Sequence, residues 1–157
     1  MRHILKIHRR LQGPIPDTDH GFTIESFNPA AHKQAWLDLN NLIFADHPDQ
    51  GNWVMEDLEN RMAEPWFDPQ GFFLATENKE LIGTCWSKIH HGLVNQAPVG
   101  ELYVVGTHPD HHGHGIARAL SINAMNYLSN KGIKDAMLYV DADNEKALKL
   151  YESLGFN

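Results

Sequence analysis

The sequence has few of the features that mark several large classes of protein. It contains one cysteine, Cys85, so an internal disulfide framework is excluded. No apolar run approaches the ~20 residues of a membrane-spanning helix, and the basic first ten residues lack the apolar centre of a secretory signal. The net charge of -7 argues against nucleic acid as a partner. We therefore expect a cytoplasmic protein with neither a membrane nor a nucleic acid as its partner.

Length and composition fit one globular domain. The chain has 157 residues, of which 42% are hydrophobic and 21% charged, and a domain of this size buries a core without disulfides. Residues 1–20 are interpreted as a basic arm and linker, because Gly13-Pro-Ile-Pro16 is rich in residues that break regular structure. We expect a single domain over residues 21–157, with the arm covering an open sheet edge.

Residues 101–120 predict a strand, a glycine-spaced turn and the start of a helix in immediate succession. Gly113 and Gly115 allow the backbone to turn sharply, so that N–H groups at the helix start point into one small volume. A phosphate or diphosphate fits such a cradle. The Rossmann fingerprint fails because its third glycine is missing, and the phosphate loop of nucleotide hydrolases fails because no Gly-Lys-Ser/Thr follows.

The remaining segments alternate between strand-like and helix-like patterns. Residues 136–140 predict a short strand, and the helix after it has Asp143 or Asn144 as its N-cap and Gly155 as its stop. Earlier in the chain, we expect helices over 29–44 and 55–63 and strands over 22–27, 72–75 and 81–89.

The loop and the last helix together resemble the GNAT acetyltransferase family. Residues 112–117, His-Gly-His-Gly-Ile-Ala, are similar to its coenzyme A pyrophosphate loop, although His112 stands where Gln or Arg is usual. Because backbone N–H groups make most of the phosphate contacts in that family, we expect this change to tune binding without abolishing it. The resemblance implies an α/β fold with a mixed, mostly antiparallel central sheet flanked by helices, and with the coenzyme A loop between the fourth strand and the third helix.

Five further segments resemble the C-terminal half of the mycothiol synthase family. They cover residues 47–51, 64–69, 86–88, 100–106 and 138–144. That family acetylates the cysteinyl amine of a glucosaminyl-inositol conjugate with acetyl-CoA. The resemblance therefore implies an acetyl-CoA-dependent N-acetyltransferase of mycothiol biosynthesis that acts on a small-molecule amine by direct attack in a ternary complex.

The same resemblance implies where acetyl-CoA binds. The pantetheine arm lies beside the strand before the loop, the phosphates lie on the loop, and the start of the last helix forms the other wall. The cofactor-binding residues so implied are Val105, Gly106, Thr107, His112, Gly113, His114, Gly115, Ile116, Ala117, Arg118, Asn144, Glu145, Lys146, Ala147, Leu148 and Lys149.

Two residues are candidates for proton transfer. Glu101, at the start of the strand that leads to the loop, is the candidate base, because a carboxylate can remove a proton from an amine that titrates near ~8. Its alternative is a solvated glutamate at a strand end. Tyr151 is the candidate acid, because a phenol with a pKa near ~10 is protonated at neutral pH and can donate to the thiolate that leaves. Its alternative is a core aromatic residue.

The resemblance to mycothiol synthases nominates Asp49, Lys88, Glu101 and Tyr139 for acceptor binding. Carboxylates and mixed donors suit an acceptor with a cationic amine and many hydroxyls. Asp49 stands where that family usually has Glu, and the shorter side chain could alter the fit of the acceptor. The alternatives for the other two are an edge-strand lysine at Lys88 and a packed sheet residue at Tyr139.

Other interpretations of the sequence stay open. The loop contains several histidines, but a turn with two glycines is not a rigid scaffold for metal ligands, so we expect no metal.

The family continues into further strands where this sequence stops, which suggests a fragment or short form that lacks its last strands. A partner domain or a homodimer is then a further kind of partner. The functional alternatives are acetylation of another small amine or a protein N-terminus, and a non-catalytic acyl-CoA-binding module.

Overall fold

The computed structural model describes residues 3–92 and 94–157, which contain one mixed sheet with helices on both faces. Along the sheet the strand order is β1-β6-β5-β4-β3-β2, and each neighbouring pair is antiparallel except the parallel pair β5 and β6. The predicted fold is thereby confirmed. In chain order the elements are β1 (Ile4–Arg10), β2 (Thr23–Ser26), α1 (Lys33–Ile43), α2 (Met55–Met62), β3 (Phe72–Glu77), β4 (Glu80–His90), β5 (Val99–Thr107), α3 (Ile116–Asn130), β6 (Asp135–Asp141) and α4 (Glu145–Ser153).

Helix α3 connects the two parallel strands and packs on one face of the sheet. Its apolar side chains at helical spacing are buried against β3, β4 and β5. The start of α3 approaches the sheet closely, since a Cβ on Gly83 of β4 would lie 2.6 Å from Ile116 Cγ2 and 3.0 Å from Leu120 Cδ1. This contact fixes the N-terminus of α3 beside the end of β5.

An aromatic core fills the opposite face of the sheet, under α1 and α2. The ring of Trp86 is stacked on Phe72 at 4.2 Å and meets Trp36 edge-on at 5.4 Å between centroids. The indole N–H of Trp36 donates to Thr84 Oγ1 at 2.9 Å. Stacked and edge-on aromatic pairs are favourable geometries beyond the area that they bury, so α1 is held over β4.

Strands β5 and β6 pair over only a short length. Their register has two partners, Gly100 with Ala136 and Glu101 with Met137. On its other side β5 follows β4 through to Thr107, with a register shift opposite Trp86 and Ser87. The last residues of β5 therefore leave β6, and a cleft opens between the two strands.

The N-terminal segment forms the edge strand β1, which pairs with β6 from Ile4 to Arg10. On its outer side, the backbone groups of His8 and Asn157 exchange hydrogen bonds at 2.9 and 3.0 Å. Leu11 is buried in the core on the α3 face. With β1 counted, the glycine-spaced loop follows the fifth strand of this sheet. The division of the chain after residue 20, and the absence of the last strands, stay predictions.

Element boundaries depart from the sequence patterns mainly at α1. The pattern predicts a helix from Pro29, whereas α1 begins at Lys33. Asn28 explains the late start, because its side chain accepts from the Ala30 N–H and its carbonyl accepts from the Ala31 and His32 N–H groups. Asn is well suited to such turns, in which its side chain competes with the helix for backbone N–H groups.

Candidate active site

The loop between β5 and α3 has the backbone conformation that the glycines predict. Gly113 and Gly115 have φ of +83° and +75°, in the left-handed region that favours glycine. Gly115 is the residue before the first turn of α3, and its carbonyl accepts from the Ala119 N–H at 3.0 Å. The first N–H groups of a helix have no partner within the helix, and they carry partial positive charge. The loop is therefore a suitable site for an anionic group.

A cleft of about 820 Å³ runs from this loop between the diverging strands. Its walls are the end of α1, the end of β5, the loop with the first turn of α3, and the first turns of α4. Twelve of the residues predicted to bind the cofactor line it, namely Val105, Gly106, Thr107, His112, Gly113, Gly115, Ile116, Ala117, Arg118, Asn144, Lys146 and Ala147. The sequence motifs, which are distant along the chain, thus meet at one cavity.

Four predicted cofactor residues lie outside the lining, and α4 explains three of them. The lining on α4 consists of Lys146, Ala147, Leu150 and Tyr151, which follow the helical spacing of one face. Its residues at 145, 148 and 149 point elsewhere; Leu148, for example, packs against the core. The fourth outlier is His114, which lies between the two glycines. The N-cap is as predicted, because Asn144 Oδ1 accepts from the Ala147 N–H at 3.1 Å.

Tyr151 lies where the cleft meets the core. It lines the cleft and is also packed edge-on against Phe156, with ring centroids 5.9 Å apart. Burial raises the pKa of its phenol above the ordinary value, with a smaller contribution from the nearby Cys85 thiol. A phenol with a raised pKa keeps its proton at neutral pH and is a hydrogen-bond donor. The core-aromatic alternative and the acid role are therefore compatible.

Glu101 is buried on β5 and is not a solvated residue at a strand end. Only 7% of its surface is exposed, and its Oε1 lies 2.7 Å from His90 Nε2. Lys88 is its register partner on β4, and Met137 its partner on β6. A carboxylate is costly to bury without a partner, and the imidazole of His90 provides that hydrogen-bonding partner.

Lys88 stands on an internal strand, which rules out the edge-strand alternative. Its ammonium lies 4.7 Å from the ring centroid of Trp66 and 5.4 Å from that of Tyr103. The Tyr103 hydroxyl in turn accepts from Arg61 Nε at 3.1 Å. Cation–π contacts of this kind hold a lysine in a defined place, so Lys88 is fixed beside Glu101.

The other two residues predicted to bind the acceptor are exposed. Tyr139 on β6 is 54% exposed, which rules out the packed alternative. It is two residues after Met137, the partner of Glu101, and so it lies on the same face of the sheet as Glu101. Asp49 is exposed in the loop after α1, next to His47 and Pro48 of the cleft lining.

The sequence reasoning missed two groups of residues at this site. His90 follows Lys88 by two residues on the same strand, so the alternation of a β-strand could have placed it on the same face. The end of α1 and the loop after it contribute Leu42 to Pro48 to the cleft. No local signal identifies these, because their place depends on how α1 packs across β4.

Two kinds of site are absent from the part of the chain that the structure describes. Residues 3–92 and 94–157 contain no helix that is both long and apolar enough to cross a membrane. Within the same ranges, no three histidine, cysteine or acidic side chains come together as ligands for a metal ion. Among the loop histidines, the ring of His111 lies 5.3 Å from that of His108 and 6.5 Å from that of His114.

The sheet splits between its two parallel strands, and the N-terminus of α3, which is a suitable site for an anionic group, lies at this split. The model of the acetyltransferase (GNAT) family matches residues 30–156. The chain therefore belongs to the GNAT acetyltransferase family, as the sequence motifs indicate.

Two curated relatives carry a more specific name than the family does. Proteins named mycothiol acetyltransferase from Thermobispora bispora and Thermomonospora curvata are 44% and 46% identical over 99% of this chain, which covers 54% and 52% of their lengths. The chain thus spans about half the length of the curated relatives that it matches. Among solved structures, a GCN5-related N-acetyltransferase from Sphaerobacter thermophilus has a TM-score of 0.78 at 24% identity, over 99% of this chain and 48% of that one.

Proposed function

We propose that this chain is an acetyl-CoA-dependent N-acetyltransferase whose acceptor is the cysteinyl amine of a glucosaminyl-inositol conjugate. The observation that carries the proposal is the cleft between β5 and β6, which joins a helix N-terminus suited to phosphates with Tyr151 on its wall. The match to proteins named mycothiol acetyltransferase over 99% of the chain supports the acceptor.

Acetyl-CoA would bind with its pyrophosphate on the loop from His112 to Arg118. Exposed helix N-termini favour an anion by about 0.3–1 kcal/mol, and the Arg118 side chain adds a positive charge to the lining. The pantetheine arm would extend along Val105 to Thr107, where β5 has left β6. This arrangement brings the thioester to the point of divergence, which lies just after Glu101.

The reaction would proceed by direct attack in a ternary complex. Glu101 would accept a proton from the acceptor's ammonium, and the freed nitrogen lone pair would attack the thioester carbonyl carbon. The C–S bond would then break, and Tyr151 would donate its proton to the sulfur of coenzyme A. The nitrogen, which carries one proton too many after the attack, would give that proton to the Tyr151 phenolate, so that a neutral amide and free coenzyme A leave and Glu101 passes its proton to solvent. Proximity of the two substrates supplies much of the rate in such reactions, and acid–base assistance adds about 10²–10⁴-fold.

The acceptor would lie on the sheet face that carries Lys88, Glu101 and Tyr139, with Asp49 at the rim. Lys88 is fixed by two aromatic rings, whereas Tyr139 is exposed and free to meet a polar ligand. A sugar-like acceptor with many hydroxyls needs this mixture of donors and acceptors.

The test is to incubate the purified chain with acetyl-CoA and the cysteinyl glucosaminyl-inositol acceptor and to follow the acetylated product by mass spectrometry. We expect turnover, and we expect Glu101→Gln to lower kcat by about 10²–10⁴-fold. Glu77→Gln is the matched control, because Glu77 is an exposed glutamate at the end of β3. Turnover of other amines but not of this acceptor would contradict the proposed substrate. Acetyl-CoA binding without turnover of any amine would favour a non-catalytic module.

A further inference from the structure

The buried carboxylate of Glu101 has a partner that its role as a base does not account for. His90, the last residue of β4, lies with Nε2 2.7 Å from Glu101 Oε1. The side chain of Glu101 is 9% exposed and that of His90 is 39% exposed. The imidazole therefore lies between the buried carboxylate and the solvent.

The lysine and arginine side chains on this side of the sheet are engaged elsewhere. Lys88 is its register partner on β4, but the Lys88 ammonium lies over the rings of Trp66 and Tyr103. Arg61 donates to the Tyr103 hydroxyl and lies over the ring of Trp53. Within residues 3–92 and 94–157, the imidazole of His90 is therefore the side chain in hydrogen-bond contact with the Glu101 carboxylate.

A buried base must be oriented as well as ionised. A glutamate side chain has three rotatable bonds, and its last torsion is broad, so one fixed oxygen restricts where the other points. A hydrogen bond to a charged group contributes more than one between neutral groups.

We propose that His90 is a positioning residue for Glu101. Its Nε2–H donates to Oε1 and holds the carboxylate so that Oε2 faces the amine of the acceptor. The proposal rests on the proposed function, since it assigns Oε2 as the atom that receives the proton. It adds a residue to the site that acts through Glu101 and does not touch acetyl-CoA.

Two substitutions separate the hydrogen bond from the rest of the side chain. His90→Phe keeps a planar ring and removes the donor, and we expect kcat to fall roughly tenfold or more while the KM for acetyl-CoA changes less than about twofold. His90→Gln places an amide N–H near the position of Nε2, and we expect it to recover kcat to within about threefold. His91→Gln is the matched control, because His91 is exposed and follows the end of β4.

Three kinetic results would overturn the proposal. An unchanged kcat in His90→Phe would mean that the contact does nothing for Glu101. Equal losses in His90→Phe and His90→Gln would mean that the histidine acts by titrating and not by donating a hydrogen bond. A parallel rise in the KM for acetyl-CoA would place its effect at the cofactor cleft.

The contact itself can be tested without turnover. We expect the ring nitrogen resonances of His90, measured by NMR at one fixed pH, to move when Glu101 is changed to Gln, whereas those of His91 stay in place. Unmoved His90 resonances would overturn the contact even in an active enzyme. If the wild-type chain acetylates no amine, the proposed function fails, and this measurement still decides whether His90 holds Glu101.

Discussion

The glycine-spaced loop and the acceptor face, by which we mean the sheet face proposed to hold the acceptor, would present different parts of the chain to their ligands. Around Gly113 and Gly115, the loop offers backbone N–H groups in conformations with positive φ. The acceptor face offers side chains, such as Lys88 held over the rings of Trp66 and Tyr103. The loop should therefore tolerate changes of side chain but not of backbone conformation, whereas the acceptor face should respond to the identity of each residue.

Among the variants that test this comparison, the largest effect is expected at Tyr151, which lines the cleft that begins at the loop. Tyr151→Phe removes the proposed acid, and we expect kcat to fall by about 10²-fold with little change in the affinity for acetyl-CoA. Steady-state kinetics and calorimetric titration measure the two quantities.

The matched control for this change is Tyr127→Phe. The Tyr127 hydroxyl also has a pKa raised by burial, and it donates to Asp68 at 2.5 Å, but it lies outside the cleft lining. We expect this variant to lose about 1 kcal/mol of unfolding free energy and to keep its kcat. Equal losses of kcat in both variants would contradict the role of Tyr151 as the acid that protonates the sulfur of coenzyme A.

A change of backbone preference at Gly115 tests the loop directly. A Cβ there meets no atom within 4 Å, so Gly115→Val acts through φ alone, and the left-handed region costs a side chain about 1–2 kcal/mol. We expect the Kd for acetyl-CoA to rise roughly tenfold, as measured by calorimetry, because the N–H groups turn away when the loop relieves this strain.

Gly132 provides a control at the other end of the same helix. It has φ of +81° and equally open surroundings, so Gly132→Val should lower the unfolding free energy by a similar amount and leave the Kd for acetyl-CoA unchanged.

His112→Ala should alter the Kd for acetyl-CoA by less than about threefold if backbone groups dominate the binding. A larger rise in the Kd for acetyl-CoA from His112→Ala than from Gly115→Val would mean that the loop acts through its side chains and not through its backbone.

On the acceptor face, a single side chain should matter more than the conformation of the backbone. Lys88→Met keeps the aliphatic stem and removes the charge, and we expect the KM for the acceptor to rise about five- to tenfold while the Kd for acetyl-CoA stays constant. The control is Lys134→Met, since Lys134 is an exposed lysine between α3 and β6. A shift in the Kd for acetyl-CoA would show that the two regions are not independent.

The smallest effect concerns stability at alkaline pH. Burial raises the pKa of the Cys85 thiol above its ordinary value, so the unfolded chain loses this proton at a lower pH than the folded one. The stabilisation is complete below the unfolded pKa and is lost as pH rises above it. We expect the unfolding free energy, from urea titration, to fall by about 1 kcal/mol between pH 8 and pH 9.5. The fall should be smaller in Cys85→Ala, and an equal fall would assign it to other groups.

The parts of the site that the sequence predicts are those with a local physical signature. The glycines at 113 and 115 predict a positive φ, and the asparagine at 144 predicts a helix N-cap; the structure has both. The burial of Glu101 has no such signature, because a glutamate at a strand start is more often solvated. His90 was missed for a related reason, since its contact with Glu101 crosses between two strands.

By itself the sequence determined the order of strands and helices from residue 22 onwards, the positive φ of the two loop glycines and the family, because each depends on residues that are close along the chain or on motifs of fixed spacing. Only the tertiary structure decided which motifs share a cavity. The cleft exists because β5 and β6 pair at two positions and then separate, and its remaining wall comes from the end of α1. Strand divergence and helix placement are set by the packing of the whole core against both faces of the sheet, which no single segment encodes.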